Sequence, residues 1–201
     1  MSELALKLIK EAKDKRLTRL DLGNCGLTEL PDELFELTWL EDLDLNDNFY
    51  LYNLSPIAEL VNLKSLTIYK TSVSNLHPIA KLIDLDFLCF SQTNVCNIKP
   101  LENLLKLYTL IMSETEVSDI SPLRNLVNLH FLNISDTKVV DLSPSVGLLN
   151  LIVLKQVFIY NSKPLCLAVR CCVLLPITVH YPTKKHIGTM VLFIKVPKHN
   201  P

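Results

Sequence analysis

Apolar residues recur along the chain in the order LxxLxL, on a fixed beat. The pattern reads "LTRLDL" from Leu17, "LEDLDL" from Leu40, "LKSLTI" from Leu63, "LDFLCF" from Leu85, "LYTLIM" from Leu107 and "LHFLNI" from Leu129. Successive starts lie 23, 23, 22, 22 and 22 residues apart. Proline keeps the same step at Pro56, Pro78, Pro100, Pro122 and Pro144, as does leucine at Leu60, Leu82, Leu104, Leu126 and Leu148. Two residue types phased to one period mark a stack of equivalent units, not merely a leucine-rich stretch.

Each unit can be read mechanically. The last two apolar positions of LxxLxL alternate with a polar one, the period-2 mark of a strand with one buried face. So short a strand needs a parallel neighbour from the next unit. Eight residues after each first leucine comes a turn position held by Cys25, Asn48, Thr71, Thr93, Thr115 and Thr137, types that bond turn backbone through their side chains. The dominance of threonine over asparagine there predicts a weakened side-chain ladder between units. An apolar pair such as Val117 and Ile120 then returns the chain to the core. Ser-Pro at Ser55, Ser121 and Ser143 predicts a short outer helical turn, with serine at the N-cap and proline at the first helical position. The second unit carries one extra residue around Phe49 to Tyr52.

An open stack needs its ends covered. Residues 1–16 predict an amphipathic capping helix, with Leu4, Leu8 and Ala12 on one face and Ala5 and Ile9 beside them. The repeat array runs over residues 17–165, as six clear units and one degenerate one. The seventh is legible only with three residues inserted, so that Leu154, Val157 and Ile159 take the strand and Ser162 the turn. Residues 166–201 keep no phase. Three readings fit them: a divergent cap, such as a hairpin of "VLLPITV" and "MVLFIKV"; a separate basic element that takes an anionic ligand; or an out-of-frame segment.

The repeat resembles that of leucine-rich-repeat proteins. "DISPLRNLVNLHFLNIS" is similar to the 22-residue class seen in internalins and in a phosphatase-1 regulatory subunit, and "LPDELFEL" in the first unit resembles the 23-residue repeats of Roco-type proteins. The resemblance covers about residues 1–165. It implies an α/β repeat fold: a right-handed solenoid with short parallel strands on the concave face, helical turns on the convex side and an N-terminal capping helix. Because the family is defined by its scaffold, the resemblance says little about function.

Charge changes the picture only in its distribution. All 21 acidic residues lie at or before Asp141 with 13 basic ones, whereas residues 142–201 hold 7 basic residues and no acid. The N-terminal segment "MSELALKLIKEAKDKR" is charged throughout, so no secretion signal is expected. The 15-residue apolar run from Leu165 is broken by Arg170 and Pro176, so no transmembrane segment is expected either. Six cysteines without a CxxC pair then read as free thiols in a cytoplasmic protein.

No residues assemble a catalytic, cofactor or metal site. His77 takes a turn place before proline, His130 lies in a strand column, and Cys166 and Cys171-Cys172 lack tetrahedral ligand spacing. The expectation is a protein that is not an enzyme, needs no cofactor and binds no specific nucleic acid. The informative surface is the outward face of the strands. It carries Asp42 and Asp44 in the early units, then Tyr69, Phe87, Ile111 and Phe131, with Tyr108 nearby. Large apolar side chains rimmed by serine and threonine have the makeup of a protein or peptide site, or of a face that the tail packs over. A scaffold binding a protein or peptide on this concave face is the first reading. The alternative is the sensor part of a larger signalling protein, such as a Roco-type GTPase, or a truncated remnant.

Overall fold

The structure, a computed structural model, describes residues 2–157 and 189–193. One helix, α1 (Glu3–Asp14), precedes the strands β1 (Arg19–Asp21), β2 (Asp42–Asp44), β3 (Ser65–Thr67), β4 (Phe87–Cys89), β5 (Thr109–Ile111), β6 (Phe131–Asn133), β7 (Val153–Val157) and β8 (Thr189–Phe193). They form one sheet in sequence order, with β1 to β7 parallel and β8 antiparallel to β7. Each strand from β1 to β6 starts a coil that crosses the outer side through a 3₁₀ turn and returns one strand over. We number these coils 1 to 6.

Register follows from the repeat. Leu20, Leu43, Leu66, Leu88, Leu110, Leu132 and Leu154 are successive partners across the sheet. Those from Leu20 to Leu132 are buried, as are the leucines at the start of the motif in coils 2 to 6 and those that follow the 3₁₀ turns. Each contributes roughly 1.5–3 kcal/mol of burial that exists only because a neighbouring coil covers it.

Between strand and turn the chain must bend sharply without losing its bonds. The residue before each turn position does this with a positive φ of 52–57°, at Asn24, Asp47, Lys70, Gln92, Glu114 and Asp136. In the first five of these coils that residue's N–H donates to a carbonyl of the next coil at 2.8–3.1 Å. Left-handed backbone is costly for a long side chain such as Lys70 or Gln92, and the bond to the next coil holds it.

The turn position behaves differently by residue type. Asn48 is fully buried and joins coils: its Oδ1 accepts from the Leu27 N–H at 2.9 Å, and its Nδ2 donates to the Leu22 and Leu45 carbonyls at 2.9 Å each. Thr71, Thr93, Thr115 and Thr137 donate only to the carbonyl three residues back in their own coil, at 2.7–2.9 Å. The side-chain ladder therefore stops after coil 2, as the threonines predict. Backbone bonds replace it: the N–H groups of Ser72, Asn94, Glu116 and Lys138 each reach a carbonyl of the preceding coil at 2.8–3.1 Å.

Three local expectations are corrected. Serine does not cap the outer turns; Leu54, Ile120 and Leu142 occupy that place. The orphan N–H groups go instead to Asn53, Asn75, Asn97, Asp119 and Asp141, whose Oδ1 atoms accept from the residue two ahead at 2.7–2.9 Å. In α1 the buried line is Ala5, Ile9 and Ala12, with Leu8 partly buried and Leu4 exposed. Alanine's small side chain lets the helix lie close on coil 1. The seventh strand needs no insertion: Leu151 is buried 22 residues after Leu129, and Leu154 pairs with Leu132. Of the hairpin offered as one reading of the tail, the stretch around Thr189–Phe193 is a strand paired with β7; "VLLPITV" lies outside the described residues, as do Ile159 and Ser162 of the seventh unit.

Asn48→Ala strands one N–H and two carbonyls, each worth about 1–3 kcal/mol when buried and unpaired, so it should cost about 3 kcal/mol or more; Thr93→Val should cost about 1 kcal/mol. Urea titration of both variants measures the difference. Asp119 and Asp141 are held below the usual carboxylate range by the N–H groups of Ser121 and Ser143, and next by their hydroxyls. Their folded pKa is the lower one, so the stability they add is present above the unfolded value of about 4 and is lost as pH falls through the folded value. Asp119→Asn/Asp141→Asn keeps the acceptor without the titration. It should lose less stability than the wild type between about pH 5 and pH 3, read as the urea midpoint.

Candidate functional site

The parallel register turns each outward strand position into a column. One runs Arg19, Asp42, Ser65, Phe87, Thr109, Phe131; the other runs Asp21, Asp44, Thr67, Cys89, Ile111, Asn133. From coil 2 onward these side chains are half-buried. Phe87 and Phe131 flank Thr109, two strand spacings or about 10 Å apart. Ile111 lies in the neighbouring column on the strand between them. Asp42, Asp44, Phe87, Ile111 and Phe131 thus share one face.

The two tyrosines border that face on opposite sides. Tyr69 follows the end of β3, with Lys70 Nζ 5.0 Å from its ring centre and its own N–H bonded to Asn46 Oδ1 at 2.7 Å. Tyr108 stands before β5, half exposed, and stacks on His130 with ring centres 4.1 Å apart and planes 15° from parallel. A contact between His130 Nδ1 and the Asn128 carbonyl at 2.7 Å holds the second ring in place.

Electrostatics divide the face. Asp21 and Asp44 each accept the N–H two residues ahead, of Gly23 and Asn46, at 2.8 Å. Asp42 meets Arg19 at 3.4 Å, Glu41 meets Lys64 at 2.8 Å and Asp47 meets Lys70 at 3.8 Å. The acidic end is therefore partly compensated, with Asp21 and Asp44 lacking an ion-pair partner among the described residues. In the apolar half, burial first of all pushes the Cys89 thiol above its ordinary range. That makes it a poor nucleophile near neutral pH. Among the described residues no group of three or more His, Cys, Asp or Glu side chains could hold a metal, and no helix is long and apolar enough to cross a membrane.

Two exposed apolar features escape a reading of the strand face alone. Phe49, Tyr50 and Tyr52 are 55%, 74% and 57% exposed on the coil with the extra residue. Val61, Ile83, Leu105, Val127 and Leu149, one per coil from coil 2 to coil 6, form an exposed aliphatic column after the outer turns. The extra residue signals the first in sequence, and the fixed step of 22 residues signals the second.

No protein-family model matches the chain, and no curated protein matches it. Solved structures do. An internalin (InlF) from Listeria monocytogenes is 31% identical at a TM-score of 0.64, covering 73% of this chain and 42% of that one. A leucine-rich-repeat protein of Leptospira interrogans is 25% identical at a TM-score of 0.67, over 73% of this chain and 38% of its own. Internalin C2 from Listeria monocytogenes, 22% identical at a TM-score of 0.63, is covered over 93% of its length and 77% of this chain, a likeness of fold. The chain thus spans about two fifths of the first two proteins. Repeat, register and these likenesses together make this chain a leucine-rich-repeat solenoid.

Proposed function

We propose that the chain is a non-catalytic scaffold that binds a protein or peptide on its concave face. The observation that carries this reading is the composition of that face. Phe87, Ile111 and Phe131 occupy its apolar half, Tyr69 and Tyr108 its margins, with Thr109 between the two phenylalanines and Ser65, Thr67 and Asn133 around them. Aromatic anchors inside a polar rim are the arrangement from which most interface energy arises. The sheet presents these side chains on ladder-bonded backbone, so little conformational freedom is lost on binding. Asp42 and Asp44 at the early end select a partner with a basic feature beside its apolar one. The extended surface of a solenoid suits such a role, and the leucine-rich-repeat neighbours support it at the level of the fold.

The test is a pull-down from host-cell lysate with the full chain beside a Phe87→Ala/Phe131→Ala variant, both checked for folding by circular dichroism. A central aromatic is worth roughly 2 kcal/mol or more, about thirtyfold in affinity. One protein should be retained by the wild type and lost from the variant. Equal retention by both would put the site elsewhere and end the concave-face reading.

A further inference from the structure

The extra residue of coil 2 does something that no other coil does. In coils 1 and 3 to 6 the turn position is followed two residues later by a buried apolar side chain, as Thr71 is by Val73. In coil 2 the buried residue, Leu51, comes three later, and the added length carries Phe49 and Tyr50 outward, with Tyr52 just beyond. The loop is not slack. Asn48 is pinned by the bonds described above, the Leu51 N–H donates to the Asn48 carbonyl at 2.9 Å, and coil 3 reaches back twice. The Ser72 hydroxyl donates to the Phe49 carbonyl at 2.6 Å, and the Ser72 N–H to the Leu51 carbonyl at 2.9 Å. Three large rings are thus held outward by a backbone fixed at both ends.

Their surroundings sharpen the point. The equivalent places in the flanking coils hold Gly26 and Thr28 on one side and Ser72 and Ser74 on the other, so the rings stand above small neighbours. A Cβ built on Gly26 would meet nothing within 4 Å. Asp47 lies two residues before Phe49, where the loop begins. Asp47 meets Lys70 at 3.8 Å, the long end of an ion pair. Aromatic rings beside a carboxylate form a surface for guanidinium and ammonium groups. Elsewhere the molecule pairs its own cations with rings this way, Arg16 over Trp39 at 5.1 Å and Lys70 over Tyr69 at 5.0 Å.

We propose that Phe49, Tyr50 and Tyr52, with Asp47, form a second docking surface on the rim of coil 2 that takes an arginine- or lysine-bearing segment of a partner protein. Charge selects the occupant: residues through Asp141 hold 21 acids against 13 basic residues, so a basic segment is favoured and an acidic one repelled. The proposal does not rest on the concave-face reading, because none of the three rings belongs to a strand.

The test selects random displayed peptides on the full chain after depletion on a Phe49→Ser/Tyr50→Ser/Tyr52→Ser variant. Circular dichroism and the urea midpoint confirm that this variant folds; should it not, Tyr50→Ser at the most exposed ring takes its place. The surviving peptides are expected to be net positive and to bind the wild type at least about tenfold more tightly than the variant. They should weaken several-fold between about 50 and 200 mM salt. Asp47→Asn should weaken the same peptides, and Phe87→Ala/Phe131→Ala should leave them unchanged. The proposal is overturned if no peptide survives depletion, if survivors are neutral or acidic, or if they depend on Phe87 and Phe131. Concentration-dependent sedimentation of the wild type that Tyr50→Ser abolishes would also overturn it, by putting a second copy of the chain on this surface.

Discussion

No coil of this protein can close on its own. A strand of three residues offers too few bonds to stand, and the leucines beside it are covered only when the next coil lies against them. Stability is therefore held between coils. The rest follows: the parallel register, the left-handed residue that aims its N–H at the next coil, and the need for α1 to lie over the first strand. Even the exchange of asparagine for threonine at the turn fits this logic. When the side chain stops reaching across, a backbone N–H at the following residue takes over the connection.

The same constraint explains what the sequence shows and what it conceals. Leucine and proline are legible because each coil needs them at the same place, so their period survives any change at other positions. The outer cap is concealed by likeness: serine before proline has the look of an N-cap, but a 3₁₀ turn is too tight to use it, and Asp119 or Asn75 two residues earlier does the bonding. The seventh coil is obscured because Gln156 stands 22 residues after Ile134, where an apolar residue is expected; sliding the frame by three brings Val157 and Ile159 into the pattern. Leu4 illustrates a further limit. A helical stripe records which residues share a side, and the shape of the surface beneath decides which of them reach it.

The candidate site divides along similar lines. The columns holding Asp42, Phe87 and Phe131 are legible in the chain itself, because register follows from the repeat. The roles of the carboxylates are not. Asp44 and Asp21 serve their own backbone as acceptors, and Arg19 and Lys64 temper the charge around them. Phe49 and Tyr50 resemble core residues when seen as letters. Only the position of Leu51, which takes the inward place, shows that they face out.

The exposed ion pairs between coils have a consequence for how the chain finds its order. Glu41 with Lys64, Asp47 with Lys70, Asp84 with Lys106 and Glu116 with Lys138 each join residues 22 or 23 apart. One such pair adds little at the surface, where water and salt screen it. The apolar columns, however, are nearly blind to order: Leu43 would pack on Leu88 as readily as on Leu66. A chain that skipped coil 3 during folding would keep its leucines matched and set Glu41 beside Asp86. Charge thus labels coils that the core treats as interchangeable, and it penalises an assembly in which one has been left out.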